Sequence, residues 1–131
     1  MNNIEFRYLY RDAGNYKKFG IVVFANPEQL SPEALEMELR QVFWEDDLFI
    51  ASQIRVPEVF LYSDGKPSSD DHCFHEFGGL LTTEETANDK HNRSIREFLA
   101  EVTREDQRGW KIFDPCDSEG SLGWFVTQRW A

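Results

Sequence analysis

Ile4-Glu5-Phe6-Arg7-Tyr8-Leu9-Tyr10-Arg11 places apolar side chains at every second position, Ile4, Phe6, Tyr8 and Tyr10. A period of two predicts a β-strand with one buried face. Asp12-Ala13-Gly14-Asn15 supplies turn chemistry. Ile21-Val22-Val23-Phe24-Ala25 then runs apolar on both faces and predicts an interior strand, paired antiparallel with the first. This opening hairpin decides the fold class, because it founds an antiparallel sheet before any helix appears.

Working outward, Ser31 is a helix N-cap and Pro32 suits the first helical position. Leu30 and Leu35 form a hydrophobic staple, and Leu35, Leu39, Val42 and Phe43 make one apolar stripe. The helix is expected to run to about Trp44. Leu48-Phe49-Ile50-Ala51 and Ile54-Arg55-Val56 read as one strand or two short ones, with Pro57 as a break. Val59-Phe60-Leu61-Tyr62 reads as another strand. Cys73 to Leu81 resumes strand character, with Gly78-Gly79 as a bulge or bend. Ser94 and Glu97 are spaced as a capping box for a second helix, with a start as early as Thr83 left open and Gly109 as its end. Trp110–Phe113 and Leu122–Trp130 read as a last hairpin, joined by the acidic loop Asp114–Ser121. Within it Trp124 is expected in the core, and Trp130 is left undecided between core and interface.

The expected order is therefore β-β-α-β-β-β-α-β-β. Strands come in hairpin-like pairs, so the fold class is α+β: a largely antiparallel sheet of about five to seven strands with two helices on one face. Length and aromatic content favour a single globular domain over residues 1–131, since aromatics make up 15% of the chain. There is no internal repeat or low-complexity tract. With only Cys73 and Cys116, a disulfide scaffold is excluded, and two thiols in a cytoplasmic protein is the simpler reading. The N-terminus shows no secretory signal and no stretch has the length of a membrane span.

The formal charge is −10, and it is unevenly distributed. Residues 21–89 carry fifteen Asp and Glu against Arg40, Arg55 and Lys66, whereas residues 1–20 are net basic. Such a field disfavours indiscriminate contact with nucleic acid or an anionic membrane and attracts basic partners. The leading functional expectation is a small acidic protein-binding module of the inhibitor or immunity type, its acids mimicking phosphates or meeting a basic partner. The acidic belt carrying this is Glu33, Glu36, Glu38, Glu45, Asp46 and Asp47.

Three other constellations compete. Asp70-Asp71-His72-Cys73-Phe74-His75-Glu76 gathers metal-ligand types, and His72, Cys73, His75 and Glu76 form the alternative site of a small enzyme or a metal- or ligand-binding domain. On a strand Cys73 and His75 would share one face, His72 and Glu76 the other. Arg7, Arg11, Lys17 and Lys18, interleaved with Tyr8, Tyr10 and Tyr16, offer a weak nucleic-acid reading that Arg93, Arg96, Arg104 and Arg108 would extend. Exposed aromatics and edge strands would serve a self-assembling subunit. Gly120-Ser121-Leu122-Gly123 is not a nucleophile elbow, Cys116 sits among acids, and no phosphate loop or dinucleotide fingerprint is present. The acidic groups Asp114, Asp117, Glu119 and Asp64, Asp70, Asp71 lack calcium-loop order. No cofactor is implied.

Overall fold

The alternation of the first strand survives as Asn3–Arg11 (β1), antiparallel to Lys17–Phe24 (β2), with Tyr8 opposite Gly20 and Phe6 opposite Val22. The computed structural model of the protein describes residues 2–62, 67–116 and 125–127. The expectations for Asp64, Asp117, Glu119, the Gly120–Gly123 segment, Trp124 and Trp130 lie outside them. The hairpin turn closes with Asn15 in the left-handed region (φ 66), where asparagine is tolerated better than most residues.

Pro32–Val42 forms the first helix (α1), capped by the Ser31 hydroxyl on the Ala34 N–H. Leu48–Phe49 (β3) and His75–Thr83 (β4) complete a four-stranded antiparallel sheet of order β2-β1-β4-β3. Gly78 is the extra residue of a bulge: Arg7 pairs with Gly79 and Tyr8 with Phe77, skipping one position. A Cβ at Gly78 would sit 3.2 Å from the Arg7 carbonyl oxygen, so the bulge brings backbone against backbone. Ile95–Arg108 (α2) begins at Ser94 with both arms of the capping box formed. Trp110–Ile112 (β5) pairs with Phe125–Thr127 (β6) as a separate ribbon.

The fold class is α+β as expected, with corrections. The main sheet has four strands, fewer than five to seven. Ile54-Arg55-Val56 is not a strand: Ala51–Ile54 is a turn of 3₁₀ helix, closed by Arg55 in the left-handed region (φ 60). Val59-Phe60-Leu61-Tyr62 is also irregular. Its polar backbone finds side-chain partners in place of a ladder, the Val59 N–H donating to His75 Nε2 at 2.9 Å. β2 is an edge strand, not an interior one. Its second face carries the buried Val23 and the exposed Ile21, and its outer edge is closed only at Val23, where the Asn88 N–H donates to the Val23 carbonyl (2.9 Å). α2 does not extend back to Thr83, because Asn88 is engaged with β2 and Asn92 is left-handed (φ 53).

Both helices pack on the sheet face bearing Ile4, Phe6, Tyr8 and Phe24. Phe6 is the hub, its ring centroid 5.0 Å from Phe98, 5.5 Å from Phe77 and 5.8 Å from Phe49. Burying each such ring contributes about 1.5–3 kcal/mol. Both cysteines are free, Cys73 buried and Cys116 exposed. Among the described residues no helix is long and apolar enough to cross a membrane.

Candidate functional site: the acidic corner between α1 and β3

The helix stripe that buries Leu35 and Leu39 dictates where the acids of α1 go. Glu36 and Arg40 fall on the flank beside β4. There Glu36 Oε1 accepts from the Leu80 N–H (3.4 Å), and its other oxygen meets Arg40 at 3.4 Å. The Arg40 guanidinium lies 4.8 Å from the Phe77 ring centre and donates to the Asp46 carbonyl oxygen at 3.5 Å. Pro32, Glu33, Glu36, Met37, Arg40 and Leu80 line a shallow cavity of about 310 Å³. The exposed Glu33 carboxyl is held below the usual range by its own first-turn N–H and by the Ser31 hydroxyl.

After α1 the chain reverses within three residues. Trp44 and Leu48 exchange backbone hydrogen bonds of 2.7 and 2.8 Å, and Glu45 and Asp46 between them are both left-handed (φ 50 and 75). That geometry ordinarily selects Asn-Gly; for a residue with a Cβ it costs about 1–2 kcal/mol. The turn is nevertheless pinned on both sides, by Arg40 and by the Phe77 N–H donating to the Asp47 carbonyl (2.7 Å). Asp47 is half-buried, and its carboxyl is pushed up by burial first and then by the charge of Glu76, with Asp46 and Glu45 adding and Arg40 opposing. The corner thus concentrates negative potential that its own cation does not neutralise.

The predicted belt is only partly gathered. Glu33 and Glu36 line the cavity beside Leu80, and Arg40, paired with Glu36, also reaches the Asp46 carbonyl in the turn that holds Glu45, Asp46 and Asp47. Glu38 stands ~200° around the helix from Glu36 and belongs to the opposite flank.

The His72–Glu76 segment disperses. His72 and Cys73 precede β4 and are not on a strand as expected, although buried Cys73 and His75 still alternate with half-buried His72 and Glu76. His75 is fully buried, its Nε2 accepting from Val59, and burial then the neighbouring His72 lower its pKa to about 4. Cys73 is buried too, and its thiol is pushed up by desolvation. His72 and Glu76 meet Arg11 on the other side, where a cavity of about 330 Å³ opens. Both His72 nitrogens are occupied, Nδ1 by the Phe74 N–H (3.0 Å) and Nε2 against the Arg11 carbonyl (2.7 Å). Glu76 is ion-paired with Arg11 at 3.1 Å. Among the described residues no group of three or more His, Cys, Asp or Glu side chains is placed to hold a metal ion.

The basic N-terminus is also partly consumed. Arg7 pairs with Glu5, Arg11 with Glu76, and Tyr8 and Tyr10 are core residues. Tyr10 donates to Asp71 at 2.7 Å. Arg93 is not on α2 and not available to a phosphate. It is buried just before the helix, ion-paired with Asp89 (2.9 Å) and Glu101 (3.2 Å), with N–H donors on the Ile54 and Arg55 carbonyls. Glu101 also takes Arg55 at 2.6 Å. The sequence reading missed this knot; the Asp89–Arg93 spacing of four was its one local signal. Compared with protein-family models, curated proteins and solved structures, the chain shows no match to any of them.

Proposed function

We propose that this chain is an acidic protein-binding module whose α1–β3 corner engages a basic partner, in the manner of an inhibitor or immunity protein. The observation that carries the reading is Asp47. Its carboxyl is raised by burial and by Glu76, Asp46 and Glu45, so a cation arriving from a partner relieves a repulsion already present. Glu45 and Asp46 hold strained backbone geometry at the same place, and strain of this kind clusters where a surface is used. A cytoplasmic setting belongs to the same proposal, with both cysteines kept as thiols.

The test is retention of a basic protein from the source cell on immobilised wild-type chain. The E45K/D46K/D47K variant serves as control, with circular dichroism to confirm folding. One basic protein held at low salt, shed at high salt and lost by the variant is the expected result. Equal retention by wild type and variant, or unchanged association rates at low salt, overturns the assignment. The enzyme or metal reading at His72, Cys73, His75 and Glu76 gains no observation that favours it.

A further inference from the structure

The backbone at the outer edge of β2 points to a second binding surface. Val23 uses its N–H and C=O on the side away from β1, both toward Asn88, at 2.8 and 2.9 Å. Strand alternation turns the N–H and C=O of Ile21, Phe19 and Lys17 the same way. Among the described residues these groups have no backbone partner, so residue 88 stops a ladder that three more positions are built to continue. Where it stops, a cavity of about 480 Å³ opens, floored by Val22, Val56 and Pro57 and rimmed by Arg55, Lys90 and His91. Phe19 and Ile21 beside it are 68% and 51% exposed.

Charge selects the occupant. Lys17 and Lys18 on the strand and Lys90 at the cavity rim make no ion pair among the described residues, in a chain of net charge −10. Of the acids in this region, Asp89 is bonded to Arg93, Glu101 is bonded to Arg55, and Asp12, near Lys17, accepts from the Tyr16 N–H. At physiological salt the field of distant acids is screened beyond about 8 Å, which leaves Lys17, Lys18 and Lys90 as cations open to an acidic strand along this edge. A second copy pairing antiparallel through Ile21, Phe19 and Lys17 would set Lys17 opposite Ile21 and bring it no carboxylate, and lysines on an exposed edge disfavour self-association. We propose that the β2 edge accepts an extended acidic peptide as a fifth strand, its backbone continuing the ladder through Ile21, Phe19 and Lys17. An apolar side chain enters the cavity, and its carboxylates lie along Lys17, Lys18 and Lys90. This surface is separate from the acidic corner and does not depend on it.

The probe is a dye-labelled, end-blocked octapeptide of alternating Val and Glu, read by fluorescence anisotropy on the full chain. Its Val/Lys counterpart and a single-stranded oligonucleotide are run beside it. The Val/Glu peptide is expected to bind, with slowed amide exchange at Ile21 and Phe19. The K17E/K90E variant, at two exposed positions, is expected to weaken it by about tenfold. Absence of binding at about 1 mM overturns the proposal. So does equal binding of the Val/Lys peptide, undiminished binding by the variant, or preference for the oligonucleotide. Exchange at Ile21 and Phe19 in the wild-type chain is an independent readout, and protection that appears elsewhere overturns it as well.

Discussion

The carboxylates around Arg93 and those of the α1–β3 corner are the same chemical groups put to opposite uses. Asp89 and Glu101 are buried, and each oxygen has a guanidinium to face. Burial would raise Asp89, but the hydrogen bonds and charge of Arg93 hold it below the usual range; the hydrogen bond from Arg55 does the same for Glu101. At the corner the sign reverses, and Asp47 is raised by burial first and then by the charge of Glu76, which Arg40 opposes without restoring the ordinary value. A net charge therefore says little about which acids can meet a partner. The knot spends its charge on joining the 51–57 segment to α2, and the corner leaves its charge directed outward.

The comparison is broken most severely at Arg93. It contacts Asp89, Glu101, two backbone carbonyls and the faces of Phe24 (5.6 Å) and Phe98 (5.1 Å). Arg93→Ala leaves Asp89 buried without its cation and Glu101 with Arg55 alone, and its expected cost is about 3–5 kcal/mol in urea unfolding. Arg7→Ala removes an exposed pair, and its expected effect is below about 1 kcal/mol. Equal losses for the two variants would show that the knot contributes no more than a surface ion pair.

Acid sharpens the contrast next. His75 titrates at about 4 in the fold and near 6.5 in an open chain. The unfolded chain takes up its proton first, so the stabilisation from a neutral His75 is complete above 6.5. It is lost as pH falls from there to about 4, by roughly 3 kcal/mol in total. Asp89 and Glu101, lowered in the fold, keep their contribution above the ordinary carboxylate pKa and lose it as pH falls through their folded values. Asp47 runs the other way, because protonation removes a charge that burial, and then Glu76, disfavours. Urea midpoints between pH 7 and pH 4 should fall in wild type. The fall should flatten in His75→Gln, which keeps an acceptor for Val59. An identical slope in that variant would remove His75 as the source.

What was legible in the sequence was local. The β1–β2 hairpin follows from alternation, and both helix starts follow from Ser31 and Ser94, whose hydroxyls act within three residues. The illegible parts depend on partners far along the chain. Residues 51–62 are irregular because Tyr8 donates to the Pro57 carbonyl (2.6 Å), Gln53 to the Gly109 carbonyl (3.0 Å) and Val59 to His75. Apolar and β-branched residues there imitate strands. The edge position of β2 is a topological choice that Val22 and Phe24 fit equally in a central strand. For the site, the acidic run was visible, and the helical angle already separates Glu38 from Glu36. The left-handed turn was not visible, because Glu-Asp is a poor sequence for it.

That turn gives the smallest and most discriminating test. Asp46 is left-handed at φ 75, and its hydrogen bonds run through the backbone: its N–H donates to the Phe43 carbonyl (3.3 Å) and its carbonyl accepts the long bond from Arg40. Glycine adopts this conformation freely, so Asp46→Gly should stabilise the fold by about 1 kcal/mol, read as a raised urea midpoint with an unchanged slope. Glycine at an ordinary loop position costs stability in place of adding it. A stabilising substitution at a natural acid means that the wild-type residue is kept for something other than folding. If Asp46→Gly leaves stability unchanged or lowers it, the side chain supports the turn itself. The corner would then join the Arg93 knot as structure, and the contrast between the two groups of acids would disappear.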